Sequence, residues 1–282
     1  MKPDARFLNR PKCFWAYVRF ISQQVGYSIR GKKKISVPLY PQMKKALEKN
    51  GLHYKHLVDE KDAPTELGQI LYDYFVFRAN ILNSYVGRRL MDSENAKKVF
   101  EKLYNEFSPT CPIPMNKQKG EKKAPAYFTA IINMIIEKNG EGLPFNFDPR
   151  ELITVTSDNI LKFTLSRRVD GAFPSVIDPI AIWEIKEYYY TTTFGSRVAD
   201  GVYETLLDGM EISELSEKEG IDVKHYFMID SHFTWWDCGR PYLCRLIDAL
   251  HMGYIDELLV GYEVIERLPS IVKEWIKLYK TT

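Results

Sequence analysis

One segment limits what this chain can fold into more than any other: Ile180-Ala-Ile-Trp-Glu-Ile-Lys-Glu-Tyr-Tyr189. Its density of Ile, Trp and Tyr predicts a strand, expected over 181–190, and the two-residue period of a strand divides its side chains between two faces. Ile182, Glu184 and Lys186 fall on one face, with Trp183, Ile185 and Glu187 on the other. Two charges on one face of an otherwise apolar strand are costly unless they have a partner or a task. Such a local violation is the kind of inconsistency that a functional site produces.

The sequence around this strand sets its context. In the first half, Phe14, Trp15, Val18, Ile21, Ser22 and Val25 lie on one helical stripe, which predicts a helix over 13–25. Pro41 suits the first turn of a short helix that Asn50-Gly51 ends, and Pro64 opens a longer helical stretch through Ile81. Another helix starts near Asp92 or Ser93 and carries Val99, Phe100, Leu103, Tyr104 and Phe107. Residues 109–124 hold three prolines, four lysines and no apolar period, and read as an exposed loop or linker. A helix over 126–138 is expected to stop on Asn139-Gly140 in the left-handed conformation.

Beyond it the rhythm changes. Strands are expected at 152–155 and 161–165, the second running on towards Val169, with Asp170–Pro174 as a turn. After the 181–190 strand, Ser196 can cap a helix with Val198, Val202 and Leu206 on one face. A strand at 226–229, a helix marked by Leu243, Leu246, Ile247 and Leu250, a strand at 258–260 and a closing helix with Ile271, Val272, Trp275, Ile276 and Tyr279 complete the order. A meander feeding βαβαβα predicts an α/β protein, with a mixed sheet flanked by helices. The mainly helical N-terminal region is expected to end at residue 124 and the sheet-bearing domain to cover 125–282.

The pattern Asp/Glu-x-Lys occurs at Asp59-Glu60-Lys61, Glu121-Lys122-Lys123, Glu184-Ile185-Lys186 and Asp222-Val223-Lys224. The first two lie in charged, loop-like surroundings and the last at the lip of a strand, so only Glu184-Ile185-Lys186 sits inside an apolar strand. On one strand face, a carboxylate can hold a divalent metal while the ammonium beside it orients a water. A carboxylate from a neighbouring strand completes such a site. Mg²⁺ keeps several waters and needs only one or two carboxylates. Asp170, fourteen residues before Glu184, can be returned beside it by an antiparallel turn. Asp178 is the competitor, but its place before Pro179 is ordinary for a turn carboxylate.

Other chemistries find little support. Cys13, Cys111, Cys238 and Cys244 lack the close pairs of a zinc site, Cys238 and Cys244 read as packing thiols, and His53 and His56 have no third ligand nearby. No Gly-x-x-x-x-Gly-Lys-Ser/Thr loop is present, so no nucleotide cofactor is expected. No apolar run is long enough for a membrane helix and Met1–Arg6 has no apolar segment behind it, which predicts a cytoplasmic protein without a membrane partner.

The formal net charge of +2 hides a division. Residues 1–124 carry 24 Lys and Arg against 12 Asp and Glu, whereas residues 125–282 carry 15 against 25. Within the basic half, Arg30, Lys32, Lys33 and Lys34 cluster beside Gly31 between Tyr27 and Tyr40. For any single lysine a solvated loop is the simpler reading; the cluster suits the phosphates of double-stranded DNA. Gln23, Gln24 and Arg30 are side chains of the type that read base edges. Arg197, after the Phe194-Gly195-Ser196 turn, can grip a phosphate near the strand pair or form a surface salt bridge.

Val169-Asp170-Gly171 and Glu184-Ile185-Lys186, followed by helix, strand and helix, resemble the PD-(D/E)XK nuclease superfamily over roughly residues 126–282, with Val169 where the family's name has proline. The resemblance implies a restriction-endonuclease-like core. Asp170 and Glu184 would be Mg²⁺ ligands (Mn²⁺ as a substitute), with the Ile185 carbonyl as a third, and Lys186 would position the attacking water. Such folds often draw a further acid from the helix before the meander, where Glu137 is available. A basic helical region ahead of this core resembles a Type II restriction endonuclease. That implies a prokaryotic homodimer cutting a specific site in double-stranded DNA. Two alternatives stay open: a repair or structure-selective nuclease on the same core, and a non-catalytic DNA-binding protein in which Glu184 and Lys186 are only an ion pair.

Overall fold

The computed structural model describes residues 1–29, 32–118, 121–190 and 196–281. Its N-terminal third is helical. Helix α1 (Lys12–Val25) buries Phe14, Trp15, Val18, Ile21 and Ser22, the stripe expected from the sequence. Helix α2 (Tyr40–Lys49) has Pro41 in its first turn. Helix α3 (Glu66–Ile81) is capped by Thr65, whose hydroxyl accepts the Gly68 N–H, and runs through a π-helical turn (Leu82–Val86) into the short α4 (Gly87–Arg89). Gly68 is required because a Cβ there would stand 1.9 Å from the Leu57 carbonyl oxygen. These helices share a core of Phe7, Phe14, Trp15, Val18, Leu47, Leu71 and Phe75.

Helix α5 (Ser93–Phe107), capped by the Asp92 carboxylate on the Asn95 N–H, packs against α6 (Tyr127–Asn139). Between them lies a correction to the sequence reading. Residues 109–124 are no plain linker: β1 (Met115–Gln118) and β2 (Glu121–Pro125) pair antiparallel, with Met115 opposite Pro125. Backbone pairing among polar residues needs no apolar alternation, so the sequence pattern could not reveal it. A second correction concerns Gly140, which is right-handed (φ −82°). The left-handed residues are the next two, Glu141 and Gly142. Gly140 is small for another reason, since a Cβ there would meet the Phe145 ring at 2.4 Å.

β3 (Thr154–Ser157) and β4 (Ile160–Thr164) form a separate hairpin, and β4 ends well short of Val169. The segment expected as a turn, Gly171–Phe173, is instead strand β5. It pairs antiparallel with β6 (Ala181–Glu187), which is followed by α7 (Ser196–Glu219), β7 (Lys224–Asp230), a π-helical segment (His232–Cys238), α8 (Arg240–His251), β8 (Glu257–Val260) and α9 (Glu263–Tyr279). The sheet order is β5-β6-β7-β8, with β6, β7 and β8 mutually parallel. The protein is therefore mixed α/β, with a four-stranded mixed sheet at its centre.

Both sheet faces are covered. Trp183, Ile185 and Met228 face α6 and α9, where Trp183 stacks on Trp275 with centroids 5.4 Å apart. Phe227 and Ile229 face Val198 and Val202 of α7 and Leu243, Leu246 and Ile247 of α8. The helical third is fastened to this body by Arg78 of α3, which bonds both oxygens of Asp248 on α8 at 2.9 and 3.0 Å. Among the described residues, no helix is long and apolar enough to cross a membrane.

Candidate functional site

The β5–β6 register decides what meets at this edge of the sheet. Gly171 pairs with Trp183 and Ala172 with Ile182, and Asp170, just before the paired residues, is tied to Trp183 and Ile185 on either side of Glu184. Asp170 donates its backbone N–H to the Trp183 carbonyl at 3.1 Å, and its Oδ2 accepts the Ile185 N–H at 2.7 Å. Glycine at 171 is compulsory, because the Trp183 ring lies where a Cβ would be, 1.9 Å away. Asp170 thus immediately precedes β5, and Asp178 is a turn residue whose carboxylate accepts the backbone N–H and hydroxyl of Thr156.

Alternation puts Glu184 and Lys186 on the face towards α7. Glu184 is completely buried, and Lys186 bonds both its carboxylate and that of Glu204 on α7, the latter at 2.9 Å. Gly201, one turn before Glu204, leaves room for the lysine stem: a Cβ there would lie 3.1 Å from Lys186 Cε. Three partners escaped the sequence analysis. Arg167 reaches Glu184 at 2.8 Å, Asp208 at 2.6 Å and Glu204 at 3.4 Å. Gly201, Glu204 and Asp208 share one helical face, which was a readable signal, but nothing local identified Arg167 as their partner.

Burial raises the Asp170 pKa to about 7, helped by the Glu184 charge and opposed by Lys186, the Ile185 N–H and Arg167. Burial likewise lifts Asp208 to about 7 despite Arg167. Burial works against the Lys186 ammonium, yet the charges of Glu184 and Asp170 and the bonds to Glu184 and Glu204 raise its pKa overall, so it is cationic at neutral pH. Partial burial works against the Glu204 charge, but the bond to Lys186 together with the charges of Lys186 and Arg167 holds its pKa lower overall.

This has a measurable consequence. Between pH 4 and 7 folded Asp170 keeps a proton that the unfolded chain has given up, so stability falls as pH rises through that window and is lowest above it. Without divalent metal, Asp170→Asn is expected to stabilise the protein at pH 8 by on the order of 2–4 kcal/mol. Thermal melts in EDTA should show that gain vanishing towards pH 4. A variant less stable than wild type at pH 8 would contradict the buried-acid assignment.

Among the described residues, no three His, Cys, Asp or Glu side chains are grouped so as to hold a metal ion. The Asp170–Glu184 pair nevertheless suits a magnesium-sized cation, which needs only one or two carboxylates. Glu184 Oε2 is buried and has no hydrogen-bond partner, an acceptor without a donor. Beside the pair lies an open cleft of about 270 Å³, lined by Lys186, Tyr188, Arg197, Asp200 and Glu204. Arg197 stands exposed there, its carbonyl accepting the Tyr188 hydroxyl at 2.9 Å.

The other candidates lie elsewhere. Glu137 accepts from Thr110, and Glu187, on the opposite strand face, accepts the Thr129 N–H at the start of α6. Lys32, Lys33 and Lys34 are exposed, with Lys33 2.5 Å from Asp237. Gln24 is exposed, while Gln23 lines a different cleft, between α1, α7 and α8. Arg30, with Gly31, lies outside the described residues, as do Thr191–Thr193 and the Phe194-Gly195 part of the turn before Arg197. All four cysteines are free thiols.

The fold and the buried charge cluster define a mixed α/β protein with an acidic pair and a lysine on the central hairpin. The chain belongs to the family described as a domain of unknown function (DUF7687), whose model matches residues 91–275, well over half its length. A second model, a domain of unknown function (DUF7690), matches residues 1–85. No curated protein and no solved structure matches the chain.

Proposed function

We propose that this protein is a Mg²⁺-dependent endonuclease with a restriction-endonuclease-like core, a Type II enzyme hydrolysing double-stranded DNA at a specific site as a homodimer. The observation that carries the reading is the Asp170 carboxylate, which accepts the Ile185 N–H and lies within electrostatic reach of Glu184 and Lys186, themselves two residues apart on one strand face. The buried, unpartnered Glu184 Oε2 supports it, as does a mixed sheet with helices on both faces.

Asp170 and Glu184 would hold the metal, joined by the Ile185 carbonyl; when bound, Mg²⁺ or Mn²⁺ supplies Lewis-acid charge stabilisation and a water of lowered pKa. Lys186, kept cationic, donates hydrogen bonds to the attacking water and stabilises charge developing on the phosphate. Arg167 restrains the Glu184 and Asp208 carboxylates from the side. Arg197, exposed in the cleft, is available to a strand phosphate. Gln23, Gln24, Arg30, Lys32, Lys33 and Lys34 would supply duplex contacts.

Incubating the purified chain with sequenced phage and plasmid DNA in Mg²⁺ is expected to yield discrete fragments. Nicking or degradation without discrete fragments would point to a repair or structure-selective enzyme instead. If neither Mg²⁺ nor Mn²⁺ supports cutting across several DNAs, while a gel shift persists in EDTA, Glu184 and Lys186 are only an ion pair.

A further inference from the structure

A cleft larger than the one beside Lys186 lies between α1, α7 and α8; it holds about 490 Å³, with Arg19, Gln23, Tyr27, Tyr203, Met210 and Arg245 among its lining. A volume of this size falls in the range of small-ligand sites. Its two guanidinium groups have neutral partners, Arg245 also packing against the Tyr27 and Tyr242 rings. Among the described residues, neither Arg19 nor Arg245 forms an ion pair; Arg19 touches the Met252 sulfur at 3.2 Å and Arg245 donates to the Tyr203 hydroxyl at 2.9 Å. The one carboxylate in the lining, Asp248, is already neutralised by Arg78 and bonded by Tyr74. The cleft is therefore electropositive without a resident anion.

Its remaining surface is flat and apolar. Tyr203 and Met210 of α7 are half-exposed, and the Tyr27 ring is fixed under the Arg78 and Arg245 guanidinium groups, each 5.7 Å from its centroid. Gln23 adds an amide that offers both donor and acceptor. Cationic groups for a phosphate, an aromatic side chain for a π-face and an amide for a hydrogen-bonding edge together describe one ligand chemistry. We infer that this cleft binds a single nucleotide, its base against Tyr203 and read by Gln23, its phosphate on Arg19 and Arg245. The nucleotide can be free, or can be an unpaired residue of a DNA strand; the second source rests on the nuclease reading. The cleft lies on the same turn of α7 that carries Glu204, the Lys186 partner, but on a neighbouring side.

The test uses the full chain in EDTA, so that nothing is cleaved. Calorimetric titration with each deoxynucleoside 5′-monophosphate is expected to show binding that ribose 5-phosphate does not reproduce. Arg245→Gln and Tyr203→Ala should each weaken it about tenfold. Gln23→Ala, a change on an exposed helix position, should alter the ranking among the four bases, and Lys186→Ala should leave affinity unchanged. A duplex with one unpaired nucleotide that binds more tightly than its fully paired counterpart, with the difference lost in Tyr203→Ala, assigns the source to DNA; equal affinity assigns it to the free nucleotide. The proposal is overturned if no nucleotide binds up to about 10 mM, or if ribose 5-phosphate or phosphotyrosine binds as well as the best nucleotide. Circular dichroism and melting of each variant separate a lost contact from a lost fold. Cutting without nucleotide binding would refute this inference alone, and nucleotide binding without cutting would refute the nuclease reading alone.

Discussion

Lys186→Ala is expected to lower the rate of DNA cleavage by at least about 1,000-fold while duplex binding persists. The argument is electrostatic. Lys186 bonds Glu184 and Glu204 at the edge of an open cleft, and its surroundings keep it cationic. In the proposed nuclease it would therefore act as a charged hydrogen-bond donor to water and phosphate, not as a base. Removing it does not strip Glu184 of every counter-charge, because Arg167 remains 2.8 Å away. The variant should consequently fold, and a gel shift in EDTA should match wild type. Asp170→Ala is expected to be equally inactive for a different reason, the loss of one of the two facing carboxylates. Plasmid digests in Mg²⁺ and in Mn²⁺, with melting curves for both variants, provide the check. An active Asp170→Ala/Lys186→Ala double variant would refute the site.

The geometry behind this expectation was partly written in the sequence. Because strand side chains alternate, the placement of Glu184 and Lys186 on the face opposite Trp183 could be read from ten residues. Asp170 beside Glu184 needed only the further idea of an antiparallel return. Its details were hidden, because β5 spans just Gly171–Phe173, too few residues to show a period, and its glycine suggested a turn. That glycine answers the Trp183 ring on the neighbouring strand, a tertiary demand with no local trace. Arg167 was missed for the same reason: its partners are 17, 37 and 41 residues away, and ion pairs over such separations follow no period.

The charge division between the two halves also takes a more definite form. Lys33 is neutralised in part by Asp237 from the acidic half, leaving Lys32 and Lys34 exposed beside it. On the acidic side, Arg167 bonds Glu184, Glu204 and Asp208, Lys186 bonds Glu184 and Glu204, and Asp170 feels the charges of Glu184, Lys186 and Arg167. Excess negative charge is thus concentrated where a divalent cation would offset it. The burial that raises Asp170 and Asp208 is the cost of that arrangement in the absence of metal.

The largest effect on stability is expected far from the hairpin. Asp248→Ala should destabilise the protein by about 3–5 kcal/mol, lowering its melting temperature by roughly 10 °C. Arg78 is 1% exposed, and its charge is held by Asp248, with the Ser22 hydroxyl accepting a further bond at 2.9 Å. Burial opposes the guanidinium charge, and Asp248 more than compensates, so Arg78 stays protonated. Taking Asp248 away strands a buried cation and also orphans the Tyr74 hydroxyl, which donates to the same carboxylate at 2.5 Å. These bonds join α1, α3 and α8, so the loss should loosen the helical third from the sheet-bearing body. Pairing Asp248→Leu with Arg78→Met should recover most of the loss, since an apolar pair avoids the desolvation that the ion pair must overcome. Chemical denaturation of the single and double variants measures the coupling directly. A single-variant loss below about 1 kcal/mol would show that the pair is solvated and does not hold the helical third in place.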